Sequence, residues 1–174
     1  NYFYGARNMA MTPEKLAASG TEDALQRALL CAVALYIRPA LPQVDVIYHV
    51  PNGGSRGSNR RDAQIQGAMM NGLGVKKGTP DLCLPIPRHG FGSLYIEMKK
   101  PKDGALSKDQ MHRIRMLSEV GNAVAVVDDW VAGYWLIYDY LYAATRQEFI
   151  AKWMTKQIAP NITIFDPSNY FKVA

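Results

Sequence analysis

Two apolar runs joined by a Pro- and Gly-rich turn constrain this chain more than any other feature. The run from Gly92 to Lys100 alternates, with Leu94, Ile96 and Met98 pointing one way and Tyr95, Glu97 and Lys99 the other; this is the period of a half-buried strand. A second run, Asp81 to Ile86, precedes it, and Pro85, Pro87, Gly90 and Gly92 supply the turn between them. A hairpin centred near His89 sets Asp81 directly opposite Glu97, with Cβ atoms about 5 Å apart. Lys99 shares the face of Glu97, roughly 7 Å further along the strand.

Carboxylates that close repel each other, and a divalent cation relieves the repulsion. Hard oxygen ligands favour Mg²⁺, with Mn²⁺ as a substitute. A protonated Lys99 is no ligand, but it can hold a water or neutralise a phosphate oxygen as charge develops. That combination is the chemistry of phosphodiester hydrolysis. An ordinary cross-strand charge pair uses the same residue types, so the surrounding motifs carry the decision.

Asp81 within GTPDL (78–82), followed by IEMKKP (96–101), resembles the PD-(D/E)XK nuclease superfamily. HVPNGG (49–54) upstream, the GTPDL form of the first motif and SKDQ (107–110) after the lysine narrow the resemblance to the virus-type replication-repair nuclease domain, VRR-NUC. It runs from Glu22 to Val127. The resemblance implies a single α/β domain, a restriction-endonuclease-like mixed sheet flanked by helices. It also implies that Asp81 and Glu97 bind the metal, that Met98 offers its backbone carbonyl, and that Lys99 assists the attacking water. Glu22 and Gln110 match an acidic residue and a Gln that complete the site, and His49 falls near it.

Both of these last matches have a local explanation too. Thr21-Glu22-Asp23 reads as a helix start, with Thr21 as N-cap and two acids at the positive end of the helix dipole. The helix then runs with Leu25, Ala28, Leu29, Ala32, Leu35 and Tyr36 as its buried stripe, and Glu22 and Gln26 share a face beside it. Ser107 to Gln110 fits a capping box in which the Gln side chain bonds back to the Ser107 amide. A helix start there also favours a bound phosphate.

The net charge of +5 is uneven: residues 56–108 hold ten Lys or Arg against four Asp or Glu. Arg56, Arg60, Arg61, Lys76 and Lys77 precede Asp81, while Lys100, Lys102 and Lys108 follow Glu97, a layout suited to clamping DNA phosphates on both sides of a cut. No side chain argues for base readout, so recognition by DNA shape and backbone is expected. The segment PNGGSRGSNRRD (51–62) reads as a loop that orders on DNA. The Gly-rich stretch 71–78 matches no nucleotide-phosphate loop pattern and reads as the end of a helix and a tight path into the Asp81 strand.

Cys31 and Cys83 lie among apolar residues and read as buried thiols rather than a disulfide or zinc site. No 18-residue apolar run and no signal pattern occurs, so a cytoplasmic location in a bacterial or phage-infected cell is expected. Asn1-Tyr2-Phe3-Tyr4-Gly5 resembles the remnant of a protease site, and residues 1–8 are set aside as a leader. His89, in a turn, and His112, on a helix, have weaker claims to function than His49.

The expected order is helix, strand Val44 to Val50, helix Asp62 to Met70, strands near 81 and 94, helix Ser107 to Val120 with Met111, Ile114 and Leu117 on one side, then strand Ala123 to Val127. Asp129 then caps a helix from Trp130 to Tyr142 that is apolar nearly all round and therefore buried, in part against a second subunit or against its own sheet. The domain reading is a nuclease core over 9–146 and an extension over 147–174 that packs on the core or a partner. The resemblance implies 5′-phosphate and 3′-hydroxyl ends and, for small stand-alone members of phage or prophage type, homodimers that act on four-way junctions. Three alternatives stay open: a monomeric flap or single-strand nicking nuclease in DNA repair, a non-catalytic DNA-junction-binding module, and, least supported, a nucleotide-binding protein.

Overall fold

A computed structural model of the chain describes residues 11–51, 60–101, 104–153 and 163–164; of these, the side chains of 60–63, 66, 71 and 163–164 are not described. The helices are α1 (Pro13–Ala17), α2 (Glu22–Ala32), α3 (Arg60–Gly72), α4 (Lys108–Glu119), α5 (Trp130–Tyr142) and α6 (Arg146–Trp153). The strands are β1 (Tyr48–His49), β2 (Leu82–Leu84), β3 (Leu94–Met98), β4 (Ala123–Val127) and β5 (Thr163–Ile164). They form one mixed sheet in the order β1-β2-β3-β4-β5, antiparallel except where β3 and β4 run parallel. Parallel neighbours need a crossover, and α4 supplies it.

The hairpin has the expected register. Leu82 pairs with Ile96, Cys83 with Tyr95 and Leu84 with Leu94, and the turn closes through the Arg88–Phe91 bridge with His89 at φ 55°. His89 is a structural residue: its Nε2 contacts the Tyr140 carbonyl at 3.0 Å and its ring stacks on Phe149 at 5.2 Å. The expectation of a half-buried strand needs correction, because β3 is covered on both faces. Leu82, Leu84, Leu94, Ile96, Met98, Ala123, Ala125 and Val127 pack against Leu25, Leu29, Leu136 and Ile137 of α2 and α5. On the opposite face Gln110 of α4 reaches Glu97, α4 packs on β4, and Tyr95 beside Cys83 is partly buried. A two-layer cover of this kind is what a parallel pair requires.

Four local expectations are corrected. Val44 to Val50 is not one strand: Pro42 starts a 3-10 turn through Val46, Val44 alone is buried, and only Tyr48–His49 pair. The α2 stripe breaks after Ala32, where the chain widens into a π turn over Val33–Ile37 with Arg38 N–H donating to Val33 at 3.0 Å. One extra residue per turn rotates the stripe, so Val33 and Ile37 are buried while Leu35 and Tyr36 are exposed. On α4, Ile114 is buried but Met111 is exposed. Cys31 is only partly buried, whereas Cys83 is buried, and both are free thiols.

The helix α5 turns one face to the core and leaves another exposed. Asp129 caps it through the Val131 N–H at 3.2 Å, and Leu136, Ile137 and Tyr140 enter the core. Trp135, Tyr138 and Tyr142 are exposed and, with Tyr134 and Tyr36, form a continuous aromatic contact series. On α6, Phe149 and Trp153 are buried, and Trp153 Nε1 donates to Asp139 at 2.7 Å. The Gly-rich stretch ends α3 as the pattern implies: Val75 N–H reaches back to the Met70 carbonyl around a left-handed Gly74, the bond of a Schellman cap. The leader, the loop over 52–59 and most of the extension lie outside the described residues.

Candidate active site

The site forms where β2 begins and β3 ends. Asp81 stands one residue before the β2–β3 ladder, and its Oδ2 accepts the Met98 N–H at 2.8 Å. Met98 is thus brought to the site by its backbone, with its side chain in the core. Just past β3, Lys99 is still held in the sheet by its N–H to the Val127 carbonyl at 2.8 Å. Gly104 approaches so closely that a Cβ there would lie 2.6 Å from Lys99 Cβ. That contact helps leave Lys99 only 7% exposed.

Glu97 is the centre of the arrangement, at 1% exposure. Its Oε1 takes the Lys99 ammonium at 2.7 Å and also the side-chain amide of Gln110. Its Oε2 is buried and has no hydrogen-bond partner among the described residues. Burial first, and the Asp81 charge second, push the Glu97 carboxyl up to about 7, with Lys99 opposing and Glu22 adding to the rise. A carboxylate with one oxygen fixed by two donors and the other unsatisfied beside a second carboxylate matches the donor set of a hard divalent cation. Among the described residues no group of three His, Cys, Asp or Glu side chains is placed to hold a metal ion; Asp81 and Glu97 are the pair of carboxylates that meet here.

Gln110 closes the capping box and also reaches Glu97. Its Oε1 accepts the Ser107 N–H at 2.9 Å, Ser107 Oγ accepts the Gln110 N–H at 3.2 Å, and its Nε2 donates to Glu97. An amide has separate donor and acceptor ends, so capping leaves the donor for the site. Glu22 is likewise both helix start and neighbour. Thr21 Oγ1 caps the Ala24 N–H at 3.2 Å, while Glu22 Oε1 accepts the Lys100 N–H at 3.3 Å and lies 4.0 Å from Lys99 Nζ.

His49 lies beside the site, not in it: its Nδ1 is 2.9 Å from the Asp81 carbonyl oxygen, with the Gln26 amide 3.1 Å away. The part played by Gln26 is signalled in the sequence by its four-residue spacing from Glu22. Of the basic residues, Lys76, Lys77, Lys100 and Lys108 are exposed. Arg60 and Arg61 begin α3, but their side chains are not described, and Arg56 and Lys102 lie outside the described residues. His112 is exposed on α4, away from these contacts.

The model of the VRR-NUC domain matches residues 36–129. The match includes Asp81, Glu97, Lys99 and Gln110; Glu22 precedes it. A solved structure described as "VRR_NUC domain protein" is similar at 27% identity with a TM-score of 0.57, over 70% of this chain and 88% of that one. No curated protein matches the sequence. Among the described residues no helix is long and apolar enough to cross a membrane.

Proposed function

This chain belongs to the VRR-NUC domain family and is a nuclease domain, and from that premise we propose that it is a Mg²⁺-dependent, structure-specific DNA endonuclease that resolves four-way junctions as a homodimer. The observation that carries the metal-dependent reading is Glu97: Oε1 is occupied by Lys99 and Gln110, and Oε2 is buried next to Asp81 with no partner among the described residues.

In this reading Asp81, Glu97 and the Met98 carbonyl hold the cation, with Mn²⁺ able to replace Mg²⁺. Bound there, the ion supplies Lewis-acid polarisation of a phosphate oxygen and a lowered pKa for water. The chain does the rest by position. Gln110 keeps Glu97 turned so that Oε2 stays available. Lys99 is held between Glu97 and Glu22, and its remaining N–H bonds are available to a water or a non-bridging phosphate oxygen. Lys76, Lys77, Lys100 and Lys108, together with Arg56, Arg60, Arg61 and Lys102, neutralise the phosphates on either side.

The homodimer reading is supported by α5. Trp135, Tyr138 and Tyr142 are exposed in an aromatic series, which is costly to leave in water and typical of interface cores. A two-fold pairing presents two sites to two strands of a symmetric junction.

The test is cleavage of end-labelled four-way junction, flap, single-stranded and duplex DNA with Mg²⁺, Mn²⁺ or EDTA, with Glu97→Ala as control. Symmetric, metal-dependent nicks confined to the junction and lost in the variant support the proposal. Preferential flap cutting moves the protein to the monomeric repair reading. Tight binding with no cutting in any metal leaves a non-catalytic module.

A further inference from the structure

The loop that enters β2 and the start of α4 touch at one residue without a side chain, Gly78. It lies three positions before Asp81 and has φ +74°. A Cβ built there collides with the Asp109 carbonyl group and comes within 2.6 Å of the Gln110 nitrogen. These are backbone atoms in the first turn of α4, which cannot swing aside as the end of a long side chain can. The same turn carries the Ser107–Gln110 capping box and the amide that Gln110 donates to Glu97.

We propose that Gly78 is a positioning residue whose missing side chain seats the first turn of α4, so that the Gln110 amide reaches Glu97 and leaves Oε2 of that carboxylate presented to the cation. The inference rests on the metal-dependent nuclease reading and extends it to a residue that touches neither metal nor substrate. Gly78 and Asp81 stand on one short stretch, and Gln110 and the capping box on another. The Gly78 contact therefore sets the gap between the two halves of the site. Widening the Gln110 nitrogen contact from 2.6 Å to the ~3.5 Å at which non-bonded atoms rest moves the turn by about 1 Å. A displacement of that size at a catalytic constellation lowers turnover by roughly 100-fold.

The test uses the full chain, a four-way junction and Mg²⁺. Gly78→Ala is expected to lower kcat by about 100-fold with KM and junction affinity in EDTA unchanged. Combined with Gln110→Ala it is expected to be no worse than the poorer single variant, because both act through one bond. Gly121→Ala is the control. It introduces the same kind of strain at φ +90° at the other end of α4, but a Cβ there meets nothing within 4 Å among the described residues. It is expected to keep wild-type turnover. Should Gly78→Ala not fold, Gln110→Asn tests the same reach with Gly78 intact, by shortening the side chain one methylene, and is expected to lose kcat to a similar degree.

A folded Gly78→Ala that cuts within threefold of wild type, additive losses with Gln110→Ala, or full turnover in Gln110→Asn would each overturn the inference. A wild-type protein that cuts nothing with any metal would instead overturn the nuclease mechanism itself.

Discussion

Replacing Glu97 by Gln is expected to make the metal-free protein more stable above pH 7 while removing its activity. In the unfolded chain this carboxyl titrates near its ordinary 4.5, and in the fold burial and the Asp81 charge raise it to about 7. Between those values the native state holds a proton that the unfolded state has lost, so stability falls as pH rises. The slope is about 1.4 kcal/mol per pH unit, and across the interval the loss is about 3 kcal/mol. Glu97 is 1% exposed, so solvent screening does little to reduce that figure. For a domain of this size the loss corresponds to roughly 6–12 °C in Tm. The amide in Glu97→Gln mimics the protonated acid, so the variant should exceed wild type by less than about 1 kcal/mol at pH 5 and by about 3 kcal/mol at pH 8. The assay is thermal denaturation from pH 5 to 8 in EDTA. Mg²⁺ at pH 8 should then raise the wild-type Tm and leave Glu97→Gln unmoved. Parallel pH dependence of the two proteins would refute the account of Glu97 as a strained, cation-seeking carboxylate.

Lys99→Ala should abolish cleavage while junction affinity measured in EDTA stays within about threefold, since one lysine among many local cations carries little of the binding; an unchanged rate would remove Lys99 from the chemistry. Glu22→Gln should slow cleavage by about tenfold, roughly 1.4 kcal/mol of transition-state stabilisation, with Tm unchanged because Thr21 still caps α2. Thr21→Ala should do the reverse, losing about 1 kcal/mol of stability with cleavage retained, as urea denaturation and single-turnover assays would show. Trp135→Glu should halve the sedimenting mass and convert paired junction nicks into single ones. A monomeric wild type would refute the dimer reading.

The hairpin register and the meeting of Asp81, Glu97 and Lys99 at one end of it were legible because they depend on local rules. Strand alternation, the turn residues around His89 and fixed motif spacing put these side chains on one face whatever the rest of the chain does. The capping box of Ser107 and Gln110 and the Thr21 cap were legible for the same reason. The π turn after Ala32 was not, because the apolar residues beyond it keep helical spacing in sequence and only packing decides which of them turn inward. The strand expected over Val44 to Val50 failed where Pro42 and the edge of the sheet outweighed alternation. Which face of α5 turns inward was not legible either, because the helix is apolar nearly all round and only packing selects Leu136, Ile137 and Tyr140 for the core.

By itself, then, the sequence determined a two-carboxylate and lysine constellation on a strand hairpin, and with its motifs the nuclease family. Only the tertiary structure decided the charge state and orientation of Glu97. Its elevated pKa, its unsatisfied Oε2 and its shared donors from Lys99 and Gln110 come from burial under α4 and from contacts made across the fold. The tertiary structure also decided that Glu22 and Gln110 join the site while keeping their caps. A side chain's second hydrogen-bond partner comes from whatever element the fold sets beside it, and spacing along the chain carries no record of that distance.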